Sequence, residues 1–340
     1  MAIGVFGLQV AYKLKRIEVM SSNQTHGWFG GGRDNSPTPI YYSTVDRIDF
    51  SNDLTTASVR GSLLGVRSGQ GSTGNSNYGW HGGGRIAPAY ISSVDRIDFS
   101  NDSSTGLARG PLSSARGYLA ATGNSNYGWF GGGYAPVSPF RLSLVNRIDF
   151  SNDSGTASIR GSLVGDRSQT AATANSNYGW FGGGYTPSPP TITVYSFIDR
   201  IDFSNDSSTA SPRSPLSLAR GNLAATGNSN YGWFGGGNAP GAVATVDRID
   251  FSNDSSTVSV RGPLNVAKLR LAATGNSNYG WFGGGTPTGQ NVDRINFSND
   301  LATASPRGPL SSARYDLSAT GNSNYGWFGG GFPSESRVDR

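Results

Sequence analysis

The sequence has 340 residues, of which 50 are glycine and only 14% are charged, and its formal net charge at pH 7 is +5. It contains no cysteine, which excludes a disulfide framework and thiolate chemistry. It has no run of about 20 apolar residues that would form a membrane-spanning helix. Its first residues lack the charged region of a signal peptide. We therefore predict neither a membrane span nor a signal peptide.

Three positions recur along the chain and divide it into repeats. A tryptophan opens each Trp-aromatic-Gly-Gly-Gly segment, an arginine stands in each Asp/Asn-Arg-Ile motif, and a leucine follows that arginine after 16 residues. Each such leucine precedes the next tryptophan by 17 residues. Fixed spacing of this kind indicates a repeat architecture. The seven tryptophans are Trp28, Trp80, Trp129, Trp180, Trp233, Trp281 and Trp327.

Each repeat contains four short segments of strand-like sequence. In the second repeat they span residues 67–74 (strand a), 78–83 (b), 93–99 (c) and 106–112 (d). Turn sequences rich in Asn, Asp, Ser and Gly connect a to b and c to d. Four antiparallel strands in about 50 residues are typical of a propeller blade. We predict an all-β fold, a single seven-bladed β-propeller of four-stranded antiparallel blades over residues 1–340.

The repeat resembles the kelch repeat in the order and spacing of its motifs. The matching segments in the fifth repeat are 220–225, Tyr231-Gly-Trp-Phe-Gly-Gly, the stretch beginning at Val246, and the segment around Leu264. Two features depart from kelch: the tryptophan precedes the glycines, and strand d carries arginine where kelch has tryptophan. The repeat wording also resembles repeat proteins of marine bacteriophages and other aquatic viruses. That resemblance implies a virion or another extracellular assembly; without it, the expected location is the cytoplasm.

The N-terminus is predicted to close the ring. Strands a, b and c can each be found seven times, whereas strand d is found six times. The segment 5–11 resembles 260–267 with its proline deleted. We therefore expect residues 1–8 to form the outer strand of the blade that contains Trp327, which would cover an exposed sheet edge.

Most of the repeated residues are predicted to be structural. The tryptophans should fill the layers between blades, and the glycines after them should allow close backbone approach. In Asp-Arg-Ile-Asp-Phe-Ser-Asn-Asp, we expect Arg47 to pair with Asp49 or with the next blade, and Asp53 to serve the turn. The motif lacks the spacing of an EF-hand calcium loop.

Neither histidine indicates a site. His26 stands at a tyrosine position and His81 at a phenylalanine position, and no second ligand repeats beside them. We predict no metal, no cofactor and no catalytic residue. Galactose oxidase places a copper centre on a kelch propeller, but that chemistry needs a cysteine, which this chain lacks.

Sequence variation indicates a recognition surface. The a–b and c–d turns are nearly copies, whereas the b–c loops differ in length and content. These loops should emerge on one face of the disc, together with the d–a connections. Variable loops on a rigid frame favour recognition, although drift without constraint is the alternative. The aromatic residues that we predict to bind a ligand there are Tyr41, Tyr42, Tyr90, Tyr134, Tyr185 and Tyr195.

A ring of cations should lie on the same face. One cation occurs four residues after each marker leucine, where strand a begins. Two roles are open: binding an anionic ligand, for which arginine offers bidentate geometry, or bonding the backbone of the neighbouring blade. The kelch resemblance implies contacts with acidic peptides here. The six cations predicted to bind a ligand are Arg67, Arg116, Arg167, Arg220, Lys268 and Arg314.

The predicted function is binding without catalysis. We expect an anionic glycan or a protein partner at the loop face, with other virion or appendage subunits as further partners. A purely structural disc is the alternative. A glycan-active enzyme is less favoured, because the b–c loops contain only the acids Asp34 and Glu335. Nucleic acid is not expected, since the chain has no basic run.

Overall fold

The computed structural model describes residues 25–34, 38–52, 57–135, 142–188, 191–333 and 337–340, with 187, 188, 191 and 192 described by their backbone alone. Seven antiparallel sheets of three or four strands follow one another through these ranges, which confirms the predicted seven-bladed all-β propeller. A single 3₁₀ turn, Phe297–Asn299, is the only helical element in them. No helix in these ranges is long and apolar enough to cross a membrane.

The strands are numbered β1 to β30 in chain order, and each blade runs a-b-c-d from inside to outside. Strands a are β4 (Gly71–Gly74), β10 (Ala120–Gly123), β14 (Ala171–Ala174), β20 (Ala224–Gly227), β24 (Ala272–Gly275) and β28 (Ser318–Gly321). Strands b are β1 (His26–Arg33), β5 (Tyr78–Gly82), β11 (Tyr127–Gly131), β15 (Tyr178–Gly182), β21 (Tyr231–Gly235), β25 (Tyr279–Gly283) and β29 (Gly326–Gly329).

Strands c and d complete the blades. Strands c are β2 (Tyr41–Asp49), β8 (Val94–Asp98), β12 (Val145–Asp149), β18 (Ile198–Asp202), β22 (Val246–Asp250), β26 (Val292–Asn296) and β30 (Val338–Asp339). Strands d are β3 (Ser58–Arg60), β9 (Leu107–Arg109), β13 (Ser158–Arg160), β19 (Ser211–Arg213), β23 (Ser259–Arg261) and β27 (Ser305–Pro306). Two b–c loops form hairpins: β6 (Arg85–Ile86) with β7 (Ala89–Tyr90), and β16 (Tyr185–Ser188) with β17 (Thr191–Val194).

Blades two to six have all four strands, and blades one and seven have three within the described ranges. The outer strand predicted from residues 1–8 lies outside the described residues, as does the start of the predicted 1–340 domain. The ring closes between blades seven and one, where the rings of Trp327 and Phe50 stack with centroids 4.0 Å apart.

Strand b divides its side chains between two neighbouring blades. Trp129 pairs across the sheet with Thr122 on strand a and with Arg147 on strand c, and all three face the following blade. Phe130, one residue later, faces the preceding blade, where a Cβ on Gly82 would lie 2.9 Å from its ring. Both aromatic side chains are fully buried. The tryptophans therefore fill the layers between blades, as predicted.

In blades two to six, an aspartate of the c–d turn joins the blade to the preceding one. Asp206 of blade four accepts a hydrogen bond from Trp129 Nε1 at 2.7 Å. It also meets two arginines of blade three, Arg147 Nη1 at 3.2 Å and Arg160 Nε at 3.4 Å. Phe203 stacks on Trp129 with a centroid distance of 3.9 Å. We call this group, one carboxylate with an indole and two guanidinium groups around it, the clasp. Four further clasps have the acceptors Asp102, Asp153, Asp254 and Asp300.

The clasp changes the roles that the sequence predicts for the acidic motif. Of the two partners open to Arg47, the structure shows the next blade, with Arg47 Nη1 3.3 Å from Asp102. Asp53, expected to serve the turn, lies outside the described residues. The equivalent aspartate joins the preceding blade in the five described copies. The turn is held by an earlier aspartate, since Asp202 Oδ1 accepts from the backbone N and the hydroxyl of Ser204.

The triple glycine brings the backbones of neighbouring blades together. Gly132 and Gly133 have φ angles of +69° and +117°. Gly133 N donates to the carbonyl of Arg167 in the next blade at 2.9 Å. A Cβ on Gly132 would lie 2.6 Å from that same oxygen. Glycine is required here by both conformation and space.

We predict that one isosteric substitution in the clasp strongly lowers the free energy of unfolding. Asp206→Asn removes the buried charge and turns an amide NH₂ toward arginine donors, so we expect the free energy of unfolding to fall by about 3 kcal/mol or more. Urea denaturation followed by tryptophan fluorescence measures this loss. The matched control is Asp202→Asn, because Asn296 makes the same turn bonds in blade six. Equal losses in the two variants would contradict a special role for the clasp.

Candidate functional site

The b–c loops and the d–a connections meet on one face of the disc, which we call the loop face. In each described case the residue after the predicted cation pairs with the first residue of the b–c loop of its own blade. These bridges are Ser68 with Arg85, Gly117 with Tyr134, Ser168 with Tyr185, Gly221 with Asn238, Leu269 with Thr286, and Tyr315 with Phe332. Variable loops are thereby attached directly to the segments that begin the inner strands.

The six predicted cations are buried inside their own blades. Arg220 is typical: its Nη1 lies 2.8 Å from Asp247, and its other nitrogens donate to the carbonyls of Phe234 and Gly236. The side chains of all six cations are at most 1% exposed. The remaining ion pairs are Arg67 with Asp95 (2.8 Å), Arg167 with Asp199 (2.6 Å), Lys268 with Asp293 (2.9 Å), and Arg314 with Asp339.

Burial penalises both charges of these pairs. It lowers the pKa of Arg220 and of Lys268 below their ordinary values, although the partner carboxylates act in the opposite direction. It raises the pKa of Asp199 and Asp293 despite their cationic partners. The contacts give these cations a role in holding strands a, b and c of one blade together. Their predicted role in ligand binding stays a prediction and gains no support from this geometry.

Blade three lacks the carboxylate of this pair. Arg116 is fully buried and donates to the carbonyl of Phe130 at 3.1 Å, but Asn146 stands where the other blades have aspartate. The Asn146 amide instead bonds Ser113 and the carbonyl of Ala157. Burial lowers the pKa of Arg116 to about 10.

A second ring of residues lies two positions after the cations, and sequence reasoning missed it. Each of these residues has a φ angle between +55° and +66°, and each after the first donates its backbone N–H to the carbonyl of its equivalent in the preceding blade, at 2.8 to 3.3 Å. The chain of bonds therefore runs around the propeller axis. We call these residues the axial ring: Gly69, Tyr118, Gln169, Asn222, Arg270 and Asp316.

The axial ring is aromatic on one side and charged on the other. The hydroxyl of Tyr118 accepts from Arg85 Nη1 at 3.1 Å. Tyr90 packs edge-on against Tyr118 with centroids 6.1 Å apart, and its ring lies 5.1 Å from that of Tyr134. On the other side, Arg270 Nη1 lies 3.6 Å from Asp316.

Amide side chains lie between those two sides of the axial ring. Gln169 and Asn222 are the ring members of blades four and five. The Oε1 atom of Gln169 is buried and has no hydrogen-bond partner within the described part of the chain.

The structure brings together some of the predicted tyrosines and separates others. Tyr90 and Tyr134 join the cluster around Tyr118. Tyr185 and Tyr195 lie at blade four, where the Tyr195 hydroxyl is 2.9 Å from Thr186 Oγ1. Tyr41 and Tyr42 belong to strand β2 of blade one. A comparison of repeats could have found the axial ring, because its position holds six residue types in six repeats, more than either neighbouring position does.

Each histidine occupies the position of an aromatic residue in the other repeats. His81 is buried, with Nδ1 2.9 Å from Ser72 Oγ. Burial and the nearby Arg67 lower its pKa to about 3. His26 is half-buried beside Thr25, and its Nε2 lies 3.8 Å from Asp49. Within the described ranges, no group of three His, Asp or Glu side chains could hold a metal ion.

Comparison with known proteins supports the fold and goes no further. No family model matches the chain, and no curated protein matches it. The solved structure of YjhT superposes with a TM-score of 0.65 at 11% sequence identity, over 81% of this chain and 93% of that one. Likeness at that identity shows the propeller fold alone. The kelch resemblance and the resemblance to viral repeat proteins stay predictions.

Two opposite substitutions test the ion pair within a blade: one replaces an amide by a carboxylate, and the other replaces a carboxylate by an amide. Asn146→Asp gives Arg116 the partner that its equivalents have, so we expect a gain of about 1–2 kcal/mol in the free energy of unfolding. Asp199→Asn leaves Arg167 buried without a carboxylate and should cost about 3–5 kcal/mol. Denaturation curves at pH 7 measure both. A loss in Asn146→Asp would show that Arg116 needs no carboxylate.

The lowered pKa of His81 predicts a pH dependence of stability. Its pKa is about 3 in the fold and about 6.5 in the unfolded chain, so only the unfolded state takes up a proton as pH falls below 6.5. The free energy of unfolding should therefore decrease from pH 6.5 toward 3, with up to about 1.4 kcal/mol per pH unit coming from this residue. His81→Phe, the residue of the other repeats, should remove that component. If the free energies of unfolding of the two proteins decreased equally between pH 7 and pH 4, the pH dependence would not come from His81.

Proposed function

We propose that this protein is a non-enzymatic recognition module that binds an acidic glycan over the axial ring and the b–c loops beside it. One observation carries the proposal. On a scaffold whose blades repeat nearly the same sequence, six equivalent positions of the axial ring hold six different residue types. A rigid frame that varies at one surface has the organisation of a recognition site.

Backbone conformation supports a functional role for those side chains. Non-glycine residues at positive φ cost on the order of 1–3 kcal/mol each, and bulky residues such as Tyr118 and Arg270 are unusual there. Glycine would relieve the cost, as Gly69 does in blade two. Side chains are nevertheless present at five positions, and three of them, Tyr118, Gln169 and Arg270, are residue types that positive φ disfavours.

The chemistry around the ring suits a sugar. Sugar hydroxyls both donate and accept hydrogen bonds, as do the amides of Gln169 and Asn222. The rings of Tyr90 and Tyr134 are half-buried and offer apolar faces against which the C–H face of a sugar ring can pack. Arg85 has the Tyr118 hydroxyl as partner and no carboxylate within the described residues. Its guanidinium is therefore the group that we assign to the acid of the glycan.

The same ring gives little support to catalysis. Enzymes that hydrolyse glycosidic bonds use two carboxylates flanking the bond. Asp316 is the one carboxylate among the six residues of the axial ring, and it lies beside Arg270. We accordingly propose binding without chemistry. We propose also, from the repeat wording alone, that binding takes place in a virion or another extracellular assembly, where other subunits would contact the disc.

A glycan array of neutral, carboxylated and sulfated sugars, run at low and at physiological salt, tests the proposal. We expect the protein to bind acidic glycans at physiological salt. The variant Tyr118→Gly with Arg85→Thr should bind at least about tenfold more weakly, since it loses a charged hydrogen-bonding group and an aromatic surface. Both substitutions follow the chain itself, because Gly69 and Thr286 stand at the equivalent positions.

The matched control is Ser104→Ala in a c–d turn on the opposite face, where blade six has Ala302. It should bind like the unmodified protein, and its free energy of unfolding should agree with that of the unmodified protein within about 0.5 kcal/mol. The double variant should differ in stability, because glycine relieves the positive-φ cost and the packing of Tyr118 is lost, so urea denaturation must show that it is folded under the conditions of the array. No binding of any sugar by the folded protein would overturn the proposal. That result would favour a purely structural disc whose loop face contacts its own assembly.

A further inference from the structure

Blade three contains a buried cation that no carboxylate of the described residues compensates. Arg116 is fully buried, and burial alone lowers its pKa to about 10, so the guanidinium stays charged at pH 7. Its equivalents in blades two, four and five each meet an aspartate at 2.6 to 2.8 Å. A buried charge without a counter-ion is costly, and this cost falls on blade three.

In the other blades the aspartate carboxylate has two partners. Asp199 lies 2.6 Å from Arg167 and also accepts from the backbone N–H of Val164 at 2.9 Å. The equivalent N–H of Ser217 donates to Asp247 at 3.1 Å. A negative charge at this place is therefore bound by a guanidinium and by a backbone donor.

Both donors are present in blade three, but the Asn146 amide does not join them. Its Nδ2 donates to the Ser113 hydroxyl at 2.9 Å and to a backbone carbonyl. Within the described residues, Arg116 donates only to the carbonyls of Phe130 and Ser114, and its Nε has no partner there. The guanidinium and the Ser113 N–H thus form the same pair of donors without a carboxylate between them.

Asn146 also makes this place compatible with an anion from solution. An aspartate here would repel a second negative charge, whereas an amide NH₂ can donate to one. Ser113 is exposed on the loop face, so solvent reaches the edge of the buried pair. We propose that Arg116, the Ser113 N–H and the Asn146 amide bind a small monovalent anion, of the size of chloride or a simple carboxylate. Blade three then takes from solution the charge that the other blades carry on their own chain.

Urea denaturation in sodium chloride, sodium acetate and sodium gluconate of equal ionic strength tests the proposal. Gluconate is too large for the site and controls for screening of the other ion pairs. An ion that binds only the folded protein raises the ratio of folded to unfolded molecules, so we expect a saturable rise of about twentyfold at a chloride concentration about 20 times its Kd. A rise in acetate but not in chloride would support the site and identify its ligand as a carboxylate.

Asn146→Asp is the deciding variant. Its carboxylate takes the place of the anion, so stability in gluconate should rise and the dependence on chloride should disappear. Asp199→Asn makes the reciprocal change in blade four and should add a second chloride-dependent rise. The first variant decides the question even where the destabilised second variant does not fold.

Crystals soaked in sodium bromide locate the ion directly, because bromide scatters anomalously. We expect an anomalous peak within about 3.5 Å of the Arg116 guanidinium in the unmodified protein and none there in Asn146→Asp. Equal stability in the three salts overturns the proposal, as does a bromide peak only at other cations. A chloride dependence that Asn146→Asp retains also overturns it, since the ion would then bind elsewhere.

Discussion

The fold depends on a buried carboxylate that one blade offers to the blade before it. The backbone hydrogen bonds between neighbouring sheets, such as Gly133 N to Arg167 O and Gly161 N to Asp206 O, lie in loops and turns. Side chains hold the layer between the strands themselves. At Asp206, one carboxylate accepts from an indole and pairs with two guanidinium groups whose side chains are at most about a quarter exposed. Removing the carboxylate from such a group leaves two cations without a partner in the partly buried interface between two blades. The hydrogen bond from Trp129 Nε1 to the same carboxylate holds the indole ring in its stacked position on Phe203.

Three aspartates of one motif perform three separate tasks. In Asp199-Arg-Ile-Asp202-Phe-Ser-Asn-Asp206 the first pairs with the buried cation of its own blade, the second fastens the c–d turn, and the third joins the preceding blade. Alternation along strand β18 separates the first task from that of Arg200, which faces the next blade. Asn146 shows that the first position tolerates an amide, in a blade that then has one negative charge fewer beside its buried cation. Asn296 shows that the second position tolerates an amide, in an exposed turn. In the five described clasps the third position is always aspartate.

The spacing of the repeats was sufficient to predict the blades. It was not sufficient to predict the candidate site, which depends on the directions in which side chains point. Trp–Gly and Asp–Arg–Ile markers specify strands b and c, and the turns between them supply the remaining boundaries. The position of Arg220 near the axis also followed from spacing. The orientation of its side chain did not follow from spacing, because the same repeat spacing allows the side chain to point toward the axis or toward Asp247. The axial ring was missed for a related reason: Tyr118 and Arg270 are residue types that favour negative φ, so nothing in their identity signals a left-handed backbone.

The bonds that fix the axial ring also free its side chains to differ. Each ring residue is held by its own N–H and carbonyl, through bonds such as Asp316 N to Arg270 O at 2.9 Å. None of those bonds depends on the residue type, so a substitution changes the conformational cost by roughly 1–3 kcal/mol and leaves the connection between blades intact. The clasps and buried ion pairs, in contrast, need particular side chains and repeat in nearly every blade. In the axial ring, backbone atoms therefore carry the connection between blades and side chains carry the variation, so the residues around the axis can change while the propeller stays closed.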